Sequence, residues 1–498
     1  MRTSWLWILF SVLILHNSLA QQPTLPVNQF EVKFKLSDLQ SDFSLLKNAL
    51  LEAHPGLSTF HDSVFFRKNY DSLRLAFKDG ESETGFYKAV TALVAGIGCG
   101  HSSCFPSRTY IQTFESSDAL FFPFPITILK ERIYIIGPRA KGQGIEPGSE
   151  LLEINNISAQ EVLQKMLCHI PGDGYSAALK YHIMETDFAT HYAELIGRPD
   201  SFHLKWRAPG GEKETINTFS ASPKKRPPSR HNKSHADMYL LPPPLNFELT
   251  KDKIGILTIH SFDKKDIHKR GQRYKSFLRH SFNALNEQGA NDLVIDLRNN
   301  EGGDDDFGWY LYSYLCDTTF QYYQRIEVAS DKRFTFLPYC SNRMVCRMLR
   351  HLIKKDNTGK NLFRYGGDTK RLYPQYHPFR GQVFVLINGG SFSTTAEFSA
   401  IAQYNKKALF IGEESGGDYS GDNSGLITML TLPHTGIRVK IPLFRYVLAV
   451  DPNHPKGRGV IPDQIIPRNI NDVIKGVDTQ KEYIVEYIRK KNCKGCGR

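Results

Sequence analysis

The chain has 498 residues, of which 41% are hydrophobic and 23% are charged, and its formal net charge is +12. These fractions are ordinary for a globular protein, so the chain can bury a sizeable core and needs no disulfide or metal staple to fold. The basic balance alone leaves three classes of partner open, which are nucleic acid, anionic membrane and acidic substrate.

Residues 1–20 have the composition of a secretory signal peptide. A positive charge precedes an apolar run, Trp5–Leu15, and the small residues Ser18 and Ala20 precede a cut after Ala20. The run is short for a membrane span, although an uncleaved anchor is the alternative. No later stretch is long and apolar enough to cross a bilayer. We therefore expect a soluble mature protein that is periplasmic or secreted, with no stable membrane insertion.

Residues 29–105 have the pattern of a small helical domain. Apolar residues such as Phe43, Leu46 and Leu50 recur at helical spacing in a first segment, and "ETGFYKAVTALVAGIG" predicts a second helix. The region ends in the glycine-rich loop "GIGCGHSSC".

Residues 115–210 change to a β-like pattern. The short apolar segments "FPITIL", "RIYII" and "SELLEIN" are separated by turn residues. Ser158 and Glu161 form a capping box at the start of a helix. Strands around one such helix indicate a small peptide-binding module of the PDZ type.

A basic, proline-rich linker is predicted over residues 211–245. Its core, "PKKRPPSRHNKSH", has no apolar periodicity. We expect no nucleic-acid binding, because no binding fold accompanies this run and the chain is expected to be exported. Residues 246–490 then alternate buried strands such as "NDLVIDL" and "QVFVLI" with amphipathic helices, which predicts an α/β domain.

The sequence contains eight cysteines, and in an exported protein some of them are expected to pair, although their number leaves the pairing open. "CKGC" near the C-terminus and the neighbouring Cys99, His101 and Cys104 resemble parts of a zinc site. The two sets are far apart in sequence, and export favours disulfides over zinc thiolates. We therefore predict no metal and no cofactor.

The stretch "INGGSFSTTAEFSAIA" joins a buried strand to an amphipathic helix. Gly389 and Gly390 permit a tight turn, and Ser393 falls at or near the helix N-cap. A hydroxyl there lies beside free backbone amides and the positive end of the helix dipole. Two interpretations remain open for this stretch alone. Ser393 caps the helix, or it is a nucleophile whose neighbouring amides hold an oxyanion.

Two further stretches bear on that choice. "LVIDLRNNEGGDDD" ends a buried strand at Gly302 and Gly303, near the edge where sites form in α/β sheets. The alternative is an ordinary turn in which Asp304 caps the next helix. His101 is the best-placed base for a serine, which is weakly nucleophilic until a base takes its proton. The alternative here is a surface or core histidine.

Together these stretches resemble the tail-specific, or C-terminal processing, serine peptidase family. "IDLRNNEGG" is similar to the family's oxyanion motif, "GGSFSTTAEF" to its nucleophile turn, "GCGHSS" to its glycine–histidine loop and "GRGVIPD" to its closing motif. "GSELLEINN" inside a PDZ-like module fits the family's domain order. The resemblance implies a crotonase-like (ClpP/crotonase) α/β catalytic domain, accompanied by the PDZ-like module and the N-terminal helical domain.

The resemblance also implies roles for individual residues. Ser393 is the nucleophile, and the amides of Thr394 and Gly302 form the oxyanion hole, with Gly303 as the second choice to Gly302. His101 falls where the tricorn-like branch of the family places its general base. We therefore expect the chain to be closer to that histidine branch than to the branch that uses a Ser–Lys dyad.

Several positions depart from the family pattern. Asp418 occupies the place of the dyad lysine in "GEESGGD", and an aspartate cannot mimic a desolvated amine, so the histidine route is favoured. Glu301 stands where glycine or proline is usual. Lys456 lies about where a glutamate that orients the histidine is expected. The acid in that role is left open among Asp451, Glu413, Glu414 and Asp418.

The sequence thus predicts an exported serine endopeptidase that hydrolyses polypeptides through an acyl-enzyme. Its PDZ-like module is expected to bind an extended peptide, or a C-terminus, by strand addition. Two alternatives remain, namely a catalytically silent peptide-binding protein on the same scaffold and an esterase with the same catalytic residues.

Overall fold

The computed structural model describes residues 32–116, 119–137, 144–223, 242–364 and 369–495. The predicted signal peptide, the basic run after Pro223 and Cys496 lie outside these ranges. Within them, no helix combines the length and the apolar character needed to cross a bilayer.

The secondary structure alternates between short strands and helices along the chain. The helices are α1 (Leu36–Ala53), α2 (Ser63–Leu75), α3 (Glu83–Ala95), α4 (Arg108–Ser116), α5 (Ala159–Leu167), α6 (Ala178–Leu195), α7 (Lys264–Lys269), α8 (Tyr274–Glu287), α9 (Asp305–Tyr312), α10 (Arg343–Leu349), α11 (Thr394–Tyr404), α12 (Ile470–Lys475) and α13 (Thr479–Gly495), with 3-10 turns at Leu337–Tyr339 and Arg350–Leu352. The strands are β1 (Lys33–Phe34), β2 (Glu81–Ser82), β3 (Cys104–Phe105), β4 (Leu120–Phe121), β5 (Ile126–Leu129), β6 (Arg132–Ile135), β7 (Glu150–Ile154), β8 (Ile157–Ser158), β9 (Ser201–Arg207), β10 (Glu214–Ser220), β11 (Ser222–Pro223), β12 (Leu245–Leu249), β13 (Ile254–Ile259), β14 (Asp292–Asp296), β15 (Phe320–Gln321), β16 (Tyr323–Glu327), β17 (Ile353–Lys355), β18 (Asn361–Phe363), β19 (Arg371–Leu372), β20 (Gln382–Ile387), β21 (Leu409–Gly412), β22 (Asn423–Thr431), β23 (Arg438–Leu448) and β24 (Gln464–Ile465).

A mostly parallel six-stranded sheet organises the centre of the molecule, in the order β12-β13-β14-β20-β21-β24. Strand β12 runs antiparallel to β13, and the other pairs are parallel. Successive residues of β20 face opposite sides, so that Val385 packs in the main core while Phe384 packs with Ile484 of α13. Because both faces are covered, these strands are near-continuous apolar runs. The predicted mixed α/β arrangement is confirmed.

A second six-stranded sheet contains β17-β18-β16-β23-β22, with β3 paired beside β23. The register places Cys104 opposite Val439. Strands β22 and β23 form a long antiparallel hairpin across "PHTG", as the sequence predicts. The pairing of β3 brings the preceding glycine-rich loop, which contains His101, onto the body that carries β20 and α11.

A small module consists of the sheet β10-β9-β7-β6-β5 with α5 and α6, and it has a core of its own. Phe122, Ile133 and Phe202 are fully buried there. Ser158 caps α5 by accepting a hydrogen bond from the Glu161 amide, so the predicted N-cap is confirmed.

The boundary predicted between this module and the linker was wrong. Residues 214–220 were assigned to the linker, but they form β10, which pairs with β9 along its whole length. Strand β10 lies at the edge of its sheet and most of its side chains are exposed. It therefore has too few apolar residues for hydrophobic periodicity to reveal it.

Helices α1–α3 lie in the predicted N-terminal helical region and share a core with the central sheet. Their buried side chains, including Phe43 and Phe86, belong to the same cluster as the core around the central sheet. Asp42 of α1 also accepts hydrogen bonds from the amide and hydroxyl of Thr435 in the β22–β23 turn. These helices are therefore part of the body that contains Ser393.

The segment "RMVCRMLRHLIKK" is divided between a helix and a strand. Helix α10 ends at Leu349, and Ile353–Lys355 forms β17. The reason is tertiary, since β17 pairs with β18 at the edge of the second sheet.

Candidate functional site

Ser393 lies in the turn between β20 and α11, and these two elements confirm the predicted strand–turn–helix. Its backbone has φ 56° and ψ −131°. Such a conformation is costly for a residue with a Cβ atom, and it concentrates at functional sites. Ser393 holds the N-cap position, yet its side chain makes no capping hydrogen bond. Ser393 thus occupies the N-cap position without its side chain capping the helix.

The other hydroxyls of this turn have structural surroundings. Ser391 Oγ accepts a hydrogen bond from the Asn388 amide and donates to a carbonyl of the loop after β14. Thr394 Oγ1 donates to a carbonyl of the same loop. Thr395 is fully buried in the helix packing. Ser393 is the hydroxyl of the four that contacts a histidine.

Gly389 and Gly390 allow the small module to approach this turn closely. A Cβ atom on Gly389 would lie 2.4 Å from the carbonyl oxygen of Ala178, and one on Gly390 would lie 2.7 Å from the His182 ring. Both contacts are shorter than real Cβ atoms make, so the two glycines are required for this packing. Ala178 and His182 belong to α6, which therefore lies directly against the turn.

His101 is the histidine that contacts Ser393. The distance from His101 Nε2 to Ser393 Oγ is 3.0 Å, although the two residues are 292 positions apart in the chain. The imidazole ring packs against the ring of Phe392, with 4.5 Å between the ring centroids. A Cβ atom on Gly100 would lie 2.7 Å from the Phe392 ring, so glycine is needed beside His101.

Two backbone contacts fix the loop that carries His101. The Gly100 amide donates to the carboxylate of Asp173 at 2.7 Å. The Ser103 carbonyl accepts from the Lys440 amide at 2.8 Å, which continues the pairing of β3 with β23. The position of His101 therefore depends on the small module, which supplies Asp173, and on the second sheet.

Burial lowers the pKa of His101 to about 3, and the positive charge of Lys440 lowers it further in the same direction. The ring is therefore neutral at pH 7. His101 Nδ1 is buried, and within the described residues it has no hydrogen-bond partner. Since Nδ1 meets no donor, the neutral ring can carry its proton there and leave Nε2 to accept the Ser393 hydroxyl.

A second serine–histidine pair lies next to the first. The distance from His54 Nε2 to Ser102 Oγ is 3.0 Å, and His54 Nδ1 accepts a hydrogen bond from the Gly56 amide. Both His54 and Ser102 are buried. Burial raises the pKa of the Cys99 thiol to about 12, and a hydrogen bond with Ser102 opposes that rise. The hydrogen-bonded pair of His54 and Ser102 stabilises the loop that carries His101.

Asp422 brings a carboxylate to the same site, and the sequence interpretation missed it. Its Oδ2 atom lies 3.8 Å from His101 Nε2. Burial raises the pKa of Asp422 to about 6, against the opposing effect of the hydroxyls of Ser424 and Ser393. The carboxyl is therefore mostly ionised at neutral pH. The available signal was an acid in a glycine-rich loop, "GGDYSGDNSG", directly before β22.

The four acids proposed to orient His101 have other partners. Glu413 pairs with Arg468 and Glu414 pairs with Arg458. Asp451 accepts a hydrogen bond from a backbone amide of its own turn. Asp418 accepts one from the Ser420 amide, and burial raises its pKa to about 6. None of these four forms a hydrogen bond or an ion pair with His101 in the part of the chain that the structure describes.

The backbone amides near Ser393 differ from the predicted pair in one respect. The Gly302 amide donates to Asn300 Oδ1 at 3.0 Å, so it already has a partner. For Gly303 and Thr394, no amide hydrogen bond occurs within the described ranges. Gly302 still matters sterically, because a Cβ atom there would lie 2.7 Å from Ser393 Cβ. Gly303, the second choice, thus has the available amide.

Glu301, the departure from the family pattern in this turn, points away from Ser393. Its carboxylate lies 3.3 Å from His182 Nε2 on α6. The two following glycines keep positive φ angles of 92° and 152°. The turn therefore keeps its glycine-dependent backbone, and Glu301 contributes a contact to the small module.

A cavity of about 450 Å³ lies between the turn and the small module. Its lining includes the loop Asn388–Gly390, strand β5 and helix α6. The amide of Ile128 on the edge strand β5 donates to Glu185 of α6, which is also paired with Arg468. The edge strand β5 and the loop that precedes Ser393 therefore line the same cavity.

Comparisons with known proteins give a family-profile match and a shared fold. Residues 253–466 match the sequence profile of "Peptidase family S41". The solved structure of mature CPAF complexed with lactacystin has a TM-score of 0.62 at 15% identity, covering 92% of this chain and 98% of the other. Mature CPAF alone has a TM-score of 0.61 at 16% identity, covering 88% and 94%.

At such low identity the two structures show a shared fold. A comparison with curated proteins found no significant match. The family match spans β14, β20 and the turn that contains Ser393, whereas His101 and its loop lie before the matched residues. Residues 253–466 thus match peptidase family S41, and together with the shared fold this match supports a tail-specific serine peptidase.

Proposed function

We propose that the chain is an exported serine endopeptidase in which Ser393 is the nucleophile and His101 is the general base. The observation that carries this proposal is the 3.0 Å contact between His101 Nε2 and Ser393 Oγ. It lies within the range in which a base can take a hydroxyl proton directly. Export rests on the signal-peptide composition of residues 1–20.

The reaction would begin when Ser393 Oγ attacks the carbonyl carbon of a peptide bond and its proton passes to His101 Nε2. The amides of Thr394 and Gly303 would donate to the oxyanion of the tetrahedral intermediate. The proton on Nε2 then goes to the leaving amine as the peptide bond breaks, which leaves an acyl-enzyme. Water, activated by the same nitrogen, releases the acyl group and restores Ser393.

Asp422 would stabilise the imidazolium that forms during these steps. Its carboxylate approaches Nε2, the same nitrogen that takes the proton, and not Nδ1. Since the ring is buried, its charged form is disfavoured until a negative charge compensates it. An ionised Asp422 supplies that charge.

The small module would act as a PDZ-like domain that binds an extended segment of the polypeptide substrate. Strand β5 is at the edge of its sheet and lines the cavity that leads to Asn388–Gly390. A peptide that adds beside β5 would therefore run toward Ser393. On this view the catalytic part has a crotonase-like fold and α1–α3 correspond to the N-terminal helical part.

The test is labelling by a fluorophosphonate, a reagent for activated serines, together with turnover of an unfolded polypeptide. We expect labelling of the wild type, and for Ser393→Ala a loss of labelling and a fall in kcat/KM of about 10⁴-fold or more. Thr395→Val is the matched control, because it removes a hydroxyl of the same turn that has no hydrogen-bond partner within the described residues. It should keep both activities.

One observation favours a second candidate, a silent peptide-binding protein, which is that His101 Nδ1 is buried without an acceptor in the described residues. It predicts peptide binding without labelling of Ser393. Turnover of small esters far above that of any polypeptide would instead indicate an esterase. Either result would contradict the endopeptidase proposal.

A further inference from the structure

Helix α10 exposes an unusual amount of apolar surface. Met344 is 74% exposed, Met348 is 55% exposed and Val345 is 46% exposed. Tyr339 in the preceding 3-10 turn is 42% exposed. Met344 and Met348 are one helical turn apart, so their side chains are neighbours on the outer face. Four large apolar side chains thus share one short stretch of surface, Tyr339–Met348.

Basic residues flank this apolar face without acidic partners. Arg343, Arg347 and Arg350 follow one another at intervals of about one helical turn, and all three are exposed. Among the described residues, none of the three forms an ion pair with an acid. Residues 332–355 contain seven lysines and arginines and no aspartate or glutamate, and of these seven Lys355 is paired with Asp331 just before the stretch. The surface is therefore cationic as well as apolar.

The stretch is firmly attached to the protein, so its exposure does not result from a frayed segment. Cys346 and Leu349 are buried beneath the helix. The Ser341 amide donates to the Met429 carbonyl at 2.8 Å, and Ser341 Oγ accepts from the Met429 amide at 3.0 Å. These bonds fix the start of α10 to strand β22. The outer face is consequently presented in a defined orientation.

We infer that Tyr339–Met348 and the arginines beside it form a peripheral docking surface for a bilayer of acidic phospholipids. Methionine and valine side chains can enter the boundary between headgroups and acyl chains, where tyrosine is also enriched. Arginines beside them can pair with lipid phosphates. This surface goes beyond the peptidase activity and does not depend on it. It would hold the enzyme at a membrane without any spanning helix.

The charge distribution selects this occupant over a second copy of the chain. A two-fold symmetric contact through α10 would place Arg343, Arg347 and Arg350 of one copy close to the same arginines of the other, with no acid in residues 332–355 to separate them. A nucleic acid would satisfy the arginines but would leave Met344 and Met348 in water. An anionic bilayer matches both the charge and the apolar side chains.

The experiment is co-sedimentation of the full mature chain with vesicles of phosphatidylcholine alone or with about one-third phosphatidylglycerol. We expect binding to the acidic vesicles at least about tenfold tighter than to the neutral ones, and weakened about tenfold between about 0.1 M and 0.5 M salt, because salt screens the arginine contacts. Equal binding to both vesicles, or none to either, would overturn the inference.

Two variants separate the apolar and ionic contributions. Met344→Ser with Met348→Ser should weaken binding to acidic vesicles about tenfold and keep the salt dependence. Arg343→Gln with Arg347→Gln should weaken it by a similar factor and reduce the salt dependence. Both pairs of side chains are exposed, so thermal unfolding should be unchanged.

Helix α2 offers a matched control. Val64 and Phe65 are 55% and 45% exposed there, and Asp62 and Asp71 accompany its basic residues. Val64→Ser with Phe65→Ser should leave vesicle binding within about twofold of wild type. An equal loss in this control would overturn the assignment to α10. So would a dimer in light scattering that the Met344 and Met348 substitutions abolish while no vesicle binding is seen.

Discussion

Two serine–histidine pairs stand side by side in this protein at the same separation. His101 Nε2 lies 3.0 Å from Ser393 Oγ, and His54 Nε2 lies 3.0 Å from Ser102 Oγ. Burial lowers the pKa of both histidines to about 3. Neither the distance nor the pKa therefore distinguishes a catalytic pair from a structural one.

The difference lies at the other ring nitrogen. His54 Nδ1 accepts a hydrogen bond from the Gly56 amide, so the proton of the neutral ring must be on Nε2, which then donates to Ser102. A nitrogen that already carries a proton cannot act as a base. His101 Nδ1 meets no such donor in the described residues, which leaves Nε2 able to accept. Ser393 also has a strained backbone with φ 56°. The tautomer of each histidine and the backbone strain at Ser393 therefore distinguish the two pairs, whereas the Ser–His distances do not.

The largest expected effect is on the proposed base. His101→Ala should lower kcat/KM on an unfolded polypeptide by about 10³- to 10⁴-fold, because it removes the imidazole nitrogen that lies 3.0 Å from Ser393 Oγ. Thermal unfolding should change little, since His101 is only partly buried. If His101→Ala kept kcat/KM within about tenfold of wild type, the His101–Ser393 pair would not be the catalytic one.

The second prediction concerns Asp422 and the pH dependence. Because the pKa of His101 is lowered to about 3, its own titration falls below the usual assay range, whereas the pKa of Asp422 is raised to about 6. If the ionised carboxylate stabilises the imidazolium, kcat/KM rises with pH through about 6. Asp422→Asn should lower kcat/KM at pH 7 by about 10- to 100-fold and flatten this rise.

A stability measurement provides the control for that variant. The folded-state pKa of Asp422 lies above its usual value of 3.8, so its contribution to stability is present at low pH and is lost as pH rises through about 6. Asp422→Asn should therefore be more stable than wild type above pH 6 and similar to it near pH 4. A pH–rate rise that persists unchanged in Asp422→Asn would exclude the proposed role.

The third prediction concerns the structural pair. Ser102→Ala should lower the free energy of unfolding by about 1–3 kcal/mol, because it leaves the buried His54 Nε2–H without an acceptor. It should keep kcat/KM within about threefold at temperatures well below unfolding. Ser399→Ala is the comparison, since Ser399 Oγ donates to a carbonyl of its own helix, and its loss should be smaller. A fall in activity as large as that of His101→Ala would show that His54 and Ser102 take part in the chemistry.

The smallest effect is expected at Lys440. Its positive charge disfavours protonation of His101. Lys440→Gln should ease that protonation and raise kcat/KM at pH 7 by about two- to fivefold, while the Lys440 amide keeps its bond to Ser103. Steady-state kinetics in low salt would measure this change. A drop of tenfold or more would instead give the Lys440 amine a direct role in catalysis.

Much of the fold was predictable because buried strands have a distinctive pattern. "NDLVIDL" and "QVFVLI" became β14 and β20, since both of their faces are covered. Edge strand β10 was missed because its side chains are mostly exposed. Ile353 lies in β17 and not in helix α10 because it pairs with β18, which local propensity cannot reveal.

The site was predictable in its residue types and less so in its contacts. Ser393 and His101 could be selected from their glycine-rich surroundings and from the family resemblance. Asp422 could not, because its approach to His101 depends on how the loop before β22 packs. The sequence likewise does not reveal that the Gly302 amide already donates a hydrogen bond to Asn300 Oδ1.

Local sequence pattern was enough to find a serine after paired glycines at a helix start, glycines after a buried strand and a histidine in a glycine-rich loop. It could not indicate which histidine contacts Ser393, which ring nitrogen remains able to accept a proton or which acid lies beside it. Those features depend on hydrogen-bond partners and burial, which are properties of three-dimensional neighbours. Here those neighbours, Ser393 and His101, are 292 residues apart along the chain.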